Sequence, residues 1–146
     1  MKLLWPTFTC CVALGLAVQA RADSSGGQPV PTRFAAAGKA LYESICQGCH
    51  MPDARGATGA GSYPALAGDA ALASADFAVI TLLQGRRNMP SFGDAAGADL
   101  FAMPPRLSDE QIAAVINYVR TNFGNRFKGT VTPAQVAAMR KALSGR

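Results

Sequence analysis

The stretch Cys46-Gln47-Gly48-Cys49-His50 decides how this chain of 146 residues folds. Its C-x-x-C-H spacing is typical of a c-type haem attachment site. Two thiols one helical turn apart can each add to a vinyl group of the same porphyrin, and the next residue then lies under the ring. An imidazole is a common axial ligand of haem iron. The motif therefore predicts one covalent haem c, attached through Cys46 and Cys49, with His50 bound to the iron.

Two other kinds of site use a C-x-x-C pair, and the sequence disfavours both. A thioredoxin-like redox pair follows a strand in a βαβ unit, whereas residues 34–45 are rich in alanine and have apolar side chains at helical spacing. A tetrahedral zinc site needs four ligands. Without two cysteines near the N-terminus, the chain offers only Cys46, Cys49 and His50. A zinc-binding or haem-free helical module is therefore disfavoured.

The N-terminus has the pattern of a secretory signal peptide. Lys2 supplies the positive charge, residues 3–18 are apolar, and Ala20-Arg21-Ala22 forms a small-x-small cleavage site. The apolar run is short for a membrane span and is interrupted by Pro6. We therefore expect cleavage near Ala22 and a periplasmic protein with no permanent membrane span. Export agrees with haem attachment, which in bacteria occurs outside the inner membrane.

The charge of the chain is mildly basic. Its formal net charge is +5, and loss of Lys2 and Arg21 with residues 1–22 would lower it by two. Such weak and scattered basicity does not indicate a nucleic-acid-binding protein. It suits an acidic redox partner, and an ordinary solvated surface explains it equally well. The same alternatives apply to Arg86 and Arg87, which can contact an acidic partner or a haem propionate, or be solvated.

The sequence after the signal peptide divides into three parts. Residues 23–31 are rich in Ser, Gly and Pro and predict a flexible leader. Residues 32–125 form the main domain. Residues 126–146, called the extension below, contain one short helix at 134–143, with Pro133 at its first position.

Hydrophobic periodicity predicts the helices of the main domain. The first covers residues 34–45 after an N-cap at Thr32, the second covers 76–83, and the third begins at the N-cap Ser108 and ends at Gly124. Gln111 stands three residues after Ser108, as in a capping box. The predicted core residues share one helical face: Phe77, Ile80 and Leu83 in the second helix, and Ile112, Val115, Ile116 and Val119 in the third. The fold class is therefore all-α, with three core helices and minor helices around one haem.

The segment between the first two helices supplies further contacts to the haem. A Gly- and Ala-rich loop at residues 53–62 precedes the stretch Tyr63-Pro64-Ala65-Leu66-Ala67-Gly68. An axial histidine usually donates its other ring N–H to a carbonyl, which fixes the orientation of the imidazole. We predict that Pro64 supplies this carbonyl to His50 and that Leu66 covers a haem face.

The sixth ligand decides the chemistry of the iron. The chain has one histidine, so bis-histidine ligation and a distal histidine are excluded. A methionine ligand raises the reduction potential into the range of an electron carrier. Met51 adjoins His50 and Met139 lies in the last helix, which leaves Met89 and Met103. An iron with no sixth protein ligand would instead suit peroxide reduction or gas binding.

From about Phe34 to Gly124 the chain resembles the class I c-type cytochromes of bacteria. The motifs that carry the resemblance are Gly38 and Tyr42 before C-x-x-C-H, the stretch from Tyr63 to Gly68, Met89-Pro90-Ser91-Phe92-Gly93, and Leu107-Ser108-Asp109-Glu110 leading into Tyr118. The resemblance implies that the first and last core helices cross at Gly38 and Tyr118. It also implies a methionine ligand in an M-P-x-F stretch after a glycine. Met89 has that pattern, and Met103, which lacks the phenylalanine but stands closer to the last core helix, is the alternative.

The resemblance further implies a one-electron carrier rather than an enzyme. The stretch from Asn117 to Asn125, followed by a short extra helix, is similar to cytochrome subunits that serve periplasmic dehydrogenases. The expected partners are therefore redox proteins: a periplasmic dehydrogenase as donor, and a terminal oxidase or another cytochrome of the respiratory chain as acceptor. The rival hypothesis is a haem protein with an open iron site.

Overall fold

The structure is a computed structural model that describes residues 30–59, 61–93 and 105–145. The predicted signal peptide, most of the predicted leader and Met103 lie outside these ranges. The described part is predominantly helical, as the all-α prediction requires. None of its helices combines the length and the hydropathy needed to cross a membrane.

The elements follow one another in a simple order. They are α1 (Val30–Leu41), a π-helical turn (Tyr42–Cys46), α2 (Gln47–His50), β1 (Ala57–Thr58), β2 (Ser62–Tyr63), a 3₁₀ turn (Ala70–Ala73), α3 (Ala75–Gln84), α4 (Asp109–Thr121) and α5 (Pro133–Ser144). The two strands form an antiparallel hairpin where the sequence predicted only a loop. The prediction of Thr32 as an N-cap is wrong, because α1 already begins at Val30. Proline at the second residue of a helix is tolerated, since the first-turn N–H groups have no helical partner.

The crossing of α1 and α4 forms the centre of the fold. A Cβ atom on Gly38 would lie 2.3 Å from the carbonyl oxygen of Ala114 and 2.8 Å from Cβ of Tyr118, so only glycine allows this approach. One turn later, the Tyr42 ring is 1% exposed and packs against Tyr118 and Phe123, with centroid distances of 5.8 and 4.7 Å. The predicted contact between Gly38 and Tyr118 is confirmed.

The start of α4 agrees with its sequence pattern. The Ser108 hydroxyl accepts a hydrogen bond from the Gln111 N–H (3.2 Å), and the Gln111 side chain accepts one from the Ser108 N–H (2.8 Å). The predicted capping box is therefore confirmed. The predicted inward stripe is also confirmed, since all four of its members are buried: Ile112, Val115, Ile116 and Val119. The helix ends at Thr121 rather than Gly124.

The buried face of α3 differs from the predicted one. Of the three predicted core residues only Leu83 is buried, while Phe77 is half-buried and Ile80 is 39% exposed. Ala78 and Val79 take the inward positions. Seven of the ten residues of α3 are apolar and they are spread around the helix, so helical spacing alone did not distinguish the inward face from the outward one.

The extension packs back onto the main domain. Its helix, α5, contacts α3 and α4, and the helix predicted at 134–143 is confirmed with slightly wider bounds. Asn117 of α4 exchanges two hydrogen bonds of 2.8 Å with the backbone of Val131. Arg120, which is 3% exposed, donates to three backbone carbonyls at 2.7–2.9 Å, those of Leu72, Lys128 and Gly129. These contacts hold the extension against the 3₁₀ turn and α4.

Candidate haem site

The C-x-x-C-H motif lies at the end of the helical segment that α1, the π-helical turn and α2 form together. His50 is the last residue of α2, and Met51 leaves the helix with a φ of 66°. The Tyr42 hydroxyl donates to the Met51 carbonyl at 2.7 Å, which fixes the exit of the chain. His50 itself is 7% exposed. The imidazole is therefore held in the interior at a defined position.

The hairpin returns the chain to His50. Gly56, with a φ of 68°, donates its N–H to the His50 carbonyl at 3.1 Å, and a Cβ atom there would lie 2.1 Å from the Tyr63 carbonyl oxygen. Pairing of β1 with β2 then brings the Pro64 carbonyl oxygen to 2.9 Å from His50 Nδ1. This predicted contact is present. Because a carbonyl only accepts, Nδ1 carries the proton, and Nε2 keeps the lone pair that a metal requires.

The backbone around Leu66 is fixed on both sides. The Leu66 N–H donates to the Ala54 carbonyl at 2.8 Å, and the Leu66 carbonyl accepts from the Asn125 side-chain amide at 2.8 Å. The same amide donates to the Val119 carbonyl at 2.9 Å. Leu66 is half-buried and packs against the hydrophobic core. Sequence reasoning gave no role to Asn125, because its partners are distant backbone carbonyls that leave no local pattern.

The two thiols of the motif are both free. Cys46 is half-buried, Cys49 is exposed, and neither forms a disulfide bond. Burial, and then the nearby Cys49, raises the pKa of Cys46 to about 11, so this thiol is protonated at neutral pH. The two residues lie at the end of the π-helical turn and in α2, three positions apart on one helical segment.

Met89 lies in a tight turn that follows α3. The turn is closed by two hydrogen bonds between the backbones of Arg86 and Met89, at 2.9 and 3.0 Å. Gly85 makes it possible, because its φ is 72° and a Cβ atom there would lie 2.6 Å from the Met89 carbonyl oxygen. Met89 is half-buried and packs against the core. The guanidinium of Arg86 lies 5.3 Å from the centroid of the Phe77 ring, and both Arg86 and Arg87 are exposed.

A model of the cytochrome c family matches residues 35–123, which is more than half of the chain. The chain belongs to the cytochrome c family. Cytochromes c bind haem c covalently, and Cys46 and Cys49 occupy the C-x-x-C-H positions of this one. The described residues fit that group, because both thiols are free and the buried His50 has its Nδ1 engaged and its Nε2 available.

Similar proteins include cytochrome subunits of dehydrogenases. The fructose dehydrogenase cytochrome subunit of Gluconobacter japonicus is 34% identical over 109 residues, which is 70% of this chain and 22% of that protein. The gluconate 2-dehydrogenase cytochrome c subunit of Pantoea cypripedii is 33% identical over 71% of this chain and 24% of its own length. The resemblance to such subunits is confirmed, and this chain spans less than a quarter of their length. Cytochrome c-552 of Thermus thermophilus is 30% identical over 67% of this chain and 90% of its own.

Proposed function

We propose that this cytochrome c is a periplasmic one-electron carrier, with haem attached to Cys46 and Cys49 and iron bound by His50 and Met89. The observation that carries the proposal is the 2.9 Å contact between His50 Nδ1 and the Pro64 carbonyl. That contact selects the tautomer of a metal ligand, and it fixes the plane of the ring.

The residues of the chain have distinct tasks in this function. The haem supplies the one-electron chemistry when it is bound. Pro64 keeps the His50 ring in one orientation, Leu66 would cover a face of the haem, and Met89 would bind its iron; both of these side chains are partly buried against the core. A thioether ligand stabilises reduced iron and raises the reduction potential. Ligands held on a rigid scaffold move little when the charge of the iron changes by one, which favours rapid electron transfer.

Absorption spectroscopy of the oxidised protein, matured in a periplasm that attaches haem, tests the ligand assignment. We expect the weak far-red sulfur-to-iron band in the wild type and in Met139→Ala, a matched control on α5. Met89→Ala should lose the band. If Met89→Ala keeps it and Met103→Ala loses it, Met103 is the ligand. A wild type without the band would refute methionine ligation and favour an open iron site.

We also propose that the electron donor is a periplasmic dehydrogenase and that the acceptor is a terminal oxidase or another cytochrome. The similarity to dehydrogenase cytochrome subunits supports this assignment. Reduction of the oxidised protein by such a dehydrogenase and its substrate tests it. If the basic charge steers an acidic donor, Arg87→Glu should slow reduction at low salt, and Lys141→Glu, the same charge change on α5, should slow it less. Equal rates for all three proteins would refute a role for Arg87.

A further inference from the structure

Arg140 connects the extension to the segment that carries Met89. It lies on α5, beyond the residues that match the family model. Its guanidinium donates to the carbonyl of Gly93, to the carbonyl of Leu107 at 3.0 Å and to the carboxylate of Asp109 at 2.9 Å. The Arg140 side chain is 14% exposed. One largely buried side chain therefore joins three segments that are distant in sequence.

Gly93 is the fixed C-terminal end of the segment Met89–Gly93. Its carbonyl accepts a second hydrogen bond, from Arg106 Nε at 3.0 Å. A Cβ atom on Gly93 would lie 2.4 Å from the Leu83 carbonyl oxygen, so the segment rests directly on the end of α3. The preceding residue, Phe92, is bound from both sides, donating to the Leu82 carbonyl at 2.8 Å and accepting from the Leu107 N–H at 2.9 Å.

We propose that Arg140 is a positioning residue for Met89: it fixes the far end of Met89–Gly93 and thereby strengthens the bond between the methionine sulfur and the iron. This inference rests on the proposed ligand Met89. The near end of the segment is closed by the turn with Arg86, and loss of Arg140 removes one of the two described donors to the Gly93 carbonyl, so the far end is held less firmly. A segment whose far end is held less firmly has more conformations in which the thioether is away from the iron, and those conformations compete with ligation.

The chemistry of the contact requires arginine. The guanidinium presents five N–H donors in a rigid plane, which lets one side chain serve a carboxylate and two carbonyls together. Asp109, in the first turn of α4, orients that plane through its 2.9 Å contact. Lysine carries the same charge but has a single ammonium group, which cannot span the acceptors of Gly93, Leu107 and Asp109 in this fixed geometry. Charge alone is therefore not sufficient.

The test uses holoprotein variants Arg140→Gln, Arg140→Lys and Asp109→Asn. Lys141→Gln, an exposed neighbour on α5, is the matched control. For each protein, urea titrations follow the far-red sulfur-to-iron band and the far-UV circular dichroism, and voltammetry gives the reduction potential. We expect Arg140→Gln and Arg140→Lys to lose the band at lower urea than the helical signal. At a given urea concentration, about tenfold more of the protein than in the wild type should have its iron without the methionine ligand. Their reduction potentials should fall, and Asp109→Asn should show the same changes to a smaller extent.

A purely structural role for Arg140 predicts another result. The far-red band and the helical signal would then be lost together, at lower urea than in the wild type, and the reduction potential would equal that of the wild type. This result would overturn the inference while leaving Met89 as the ligand. If Arg140→Gln does not fold, the same comparison in Arg140→Lys and Asp109→Asn distinguishes the positioning role from the purely structural one. A wild type without the band, or Met89→Ala that keeps it, would overturn both the ligand and the inference.

Discussion

Replacement of Gly38 by alanine tests the helix crossing that organises the fold. The new Cβ would lie 2.3 Å from the Ala114 carbonyl oxygen, whereas carbon and oxygen rarely approach closer than about 3.3 Å. The helices must therefore separate by about 1 Å. Overpacking of this kind costs up to about 3 kcal/mol. Alanine recovers about 1 kcal/mol of helix propensity, so the unfolding free energy should fall by about 2 kcal/mol.

Urea unfolding followed by far-UV circular dichroism measures this loss. With a slope of about 2 kcal/mol per molar urea, the midpoint should fall by about 1 M. Gly48→Ala is the control, because it is a helical glycine on the same segment whose Cβ would meet nothing within 4 Å. Its midpoint should equal or exceed that of the wild type. If Gly38→Ala behaves like Gly48→Ala, the close crossing of α1 and α4 is refuted.

Three further substitutions test other contacts by urea unfolding. Tyr42→Phe removes the 2.7 Å hydrogen bond to Met51 and should lower the unfolding free energy by about 1 kcal/mol. Because burial raises the pKa of Tyr42 to about 12, the unfolding free energy of the wild type should fall as the pH rises from 10 to 12, and that of the variant should not. Arg120→Met leaves buried carbonyls without donors and should cost about 2 to 4 kcal/mol; an unchanged midpoint would contradict this. Ser108→Ala should cost about 1 kcal/mol, and an unchanged unfolding midpoint would show that the capping box adds no stability.

The contact between Gly38 and Tyr118 was predicted from the family resemblance, and the other features that the sequence predicted correctly are mostly local. The capping box of Ser108 and Gln111 depends on a spacing of three residues. The return of Pro64 to His50 depends on a short segment whose glycine, Gly56, has a positive φ and no room for a side chain. Such contacts are visible in the sequence because the chain between the partners is short and its conformation is restricted.

The features that sequence reasoning missed depend on distant partners. Arg120 and Arg140 resemble ordinary solvated arginines in the sequence, yet both are largely buried and bind backbone carbonyls. Every residue has a carbonyl, so such partners leave no pattern to search for. Ile80 was misplaced for another reason: α3 has apolar residues on all sides, and its packing against α4 and α5 selects the inward face.

The π-helical turn at Tyr42–Cys46 sets how the helices before and after it are rotated relative to each other. A π-turn bonds each N–H five residues back rather than four, so it changes the angular phase between the helix before it and the helix after it. One residue corresponds to about 100° of rotation about a helix axis. Tyr42 packs against α4 on one side of this phase change, and His50 meets Pro64 on the other. If the same number of residues closed instead as regular α-helix, the haem-binding end would turn by about that angle away from its partners, although every recognisable motif would remain intact.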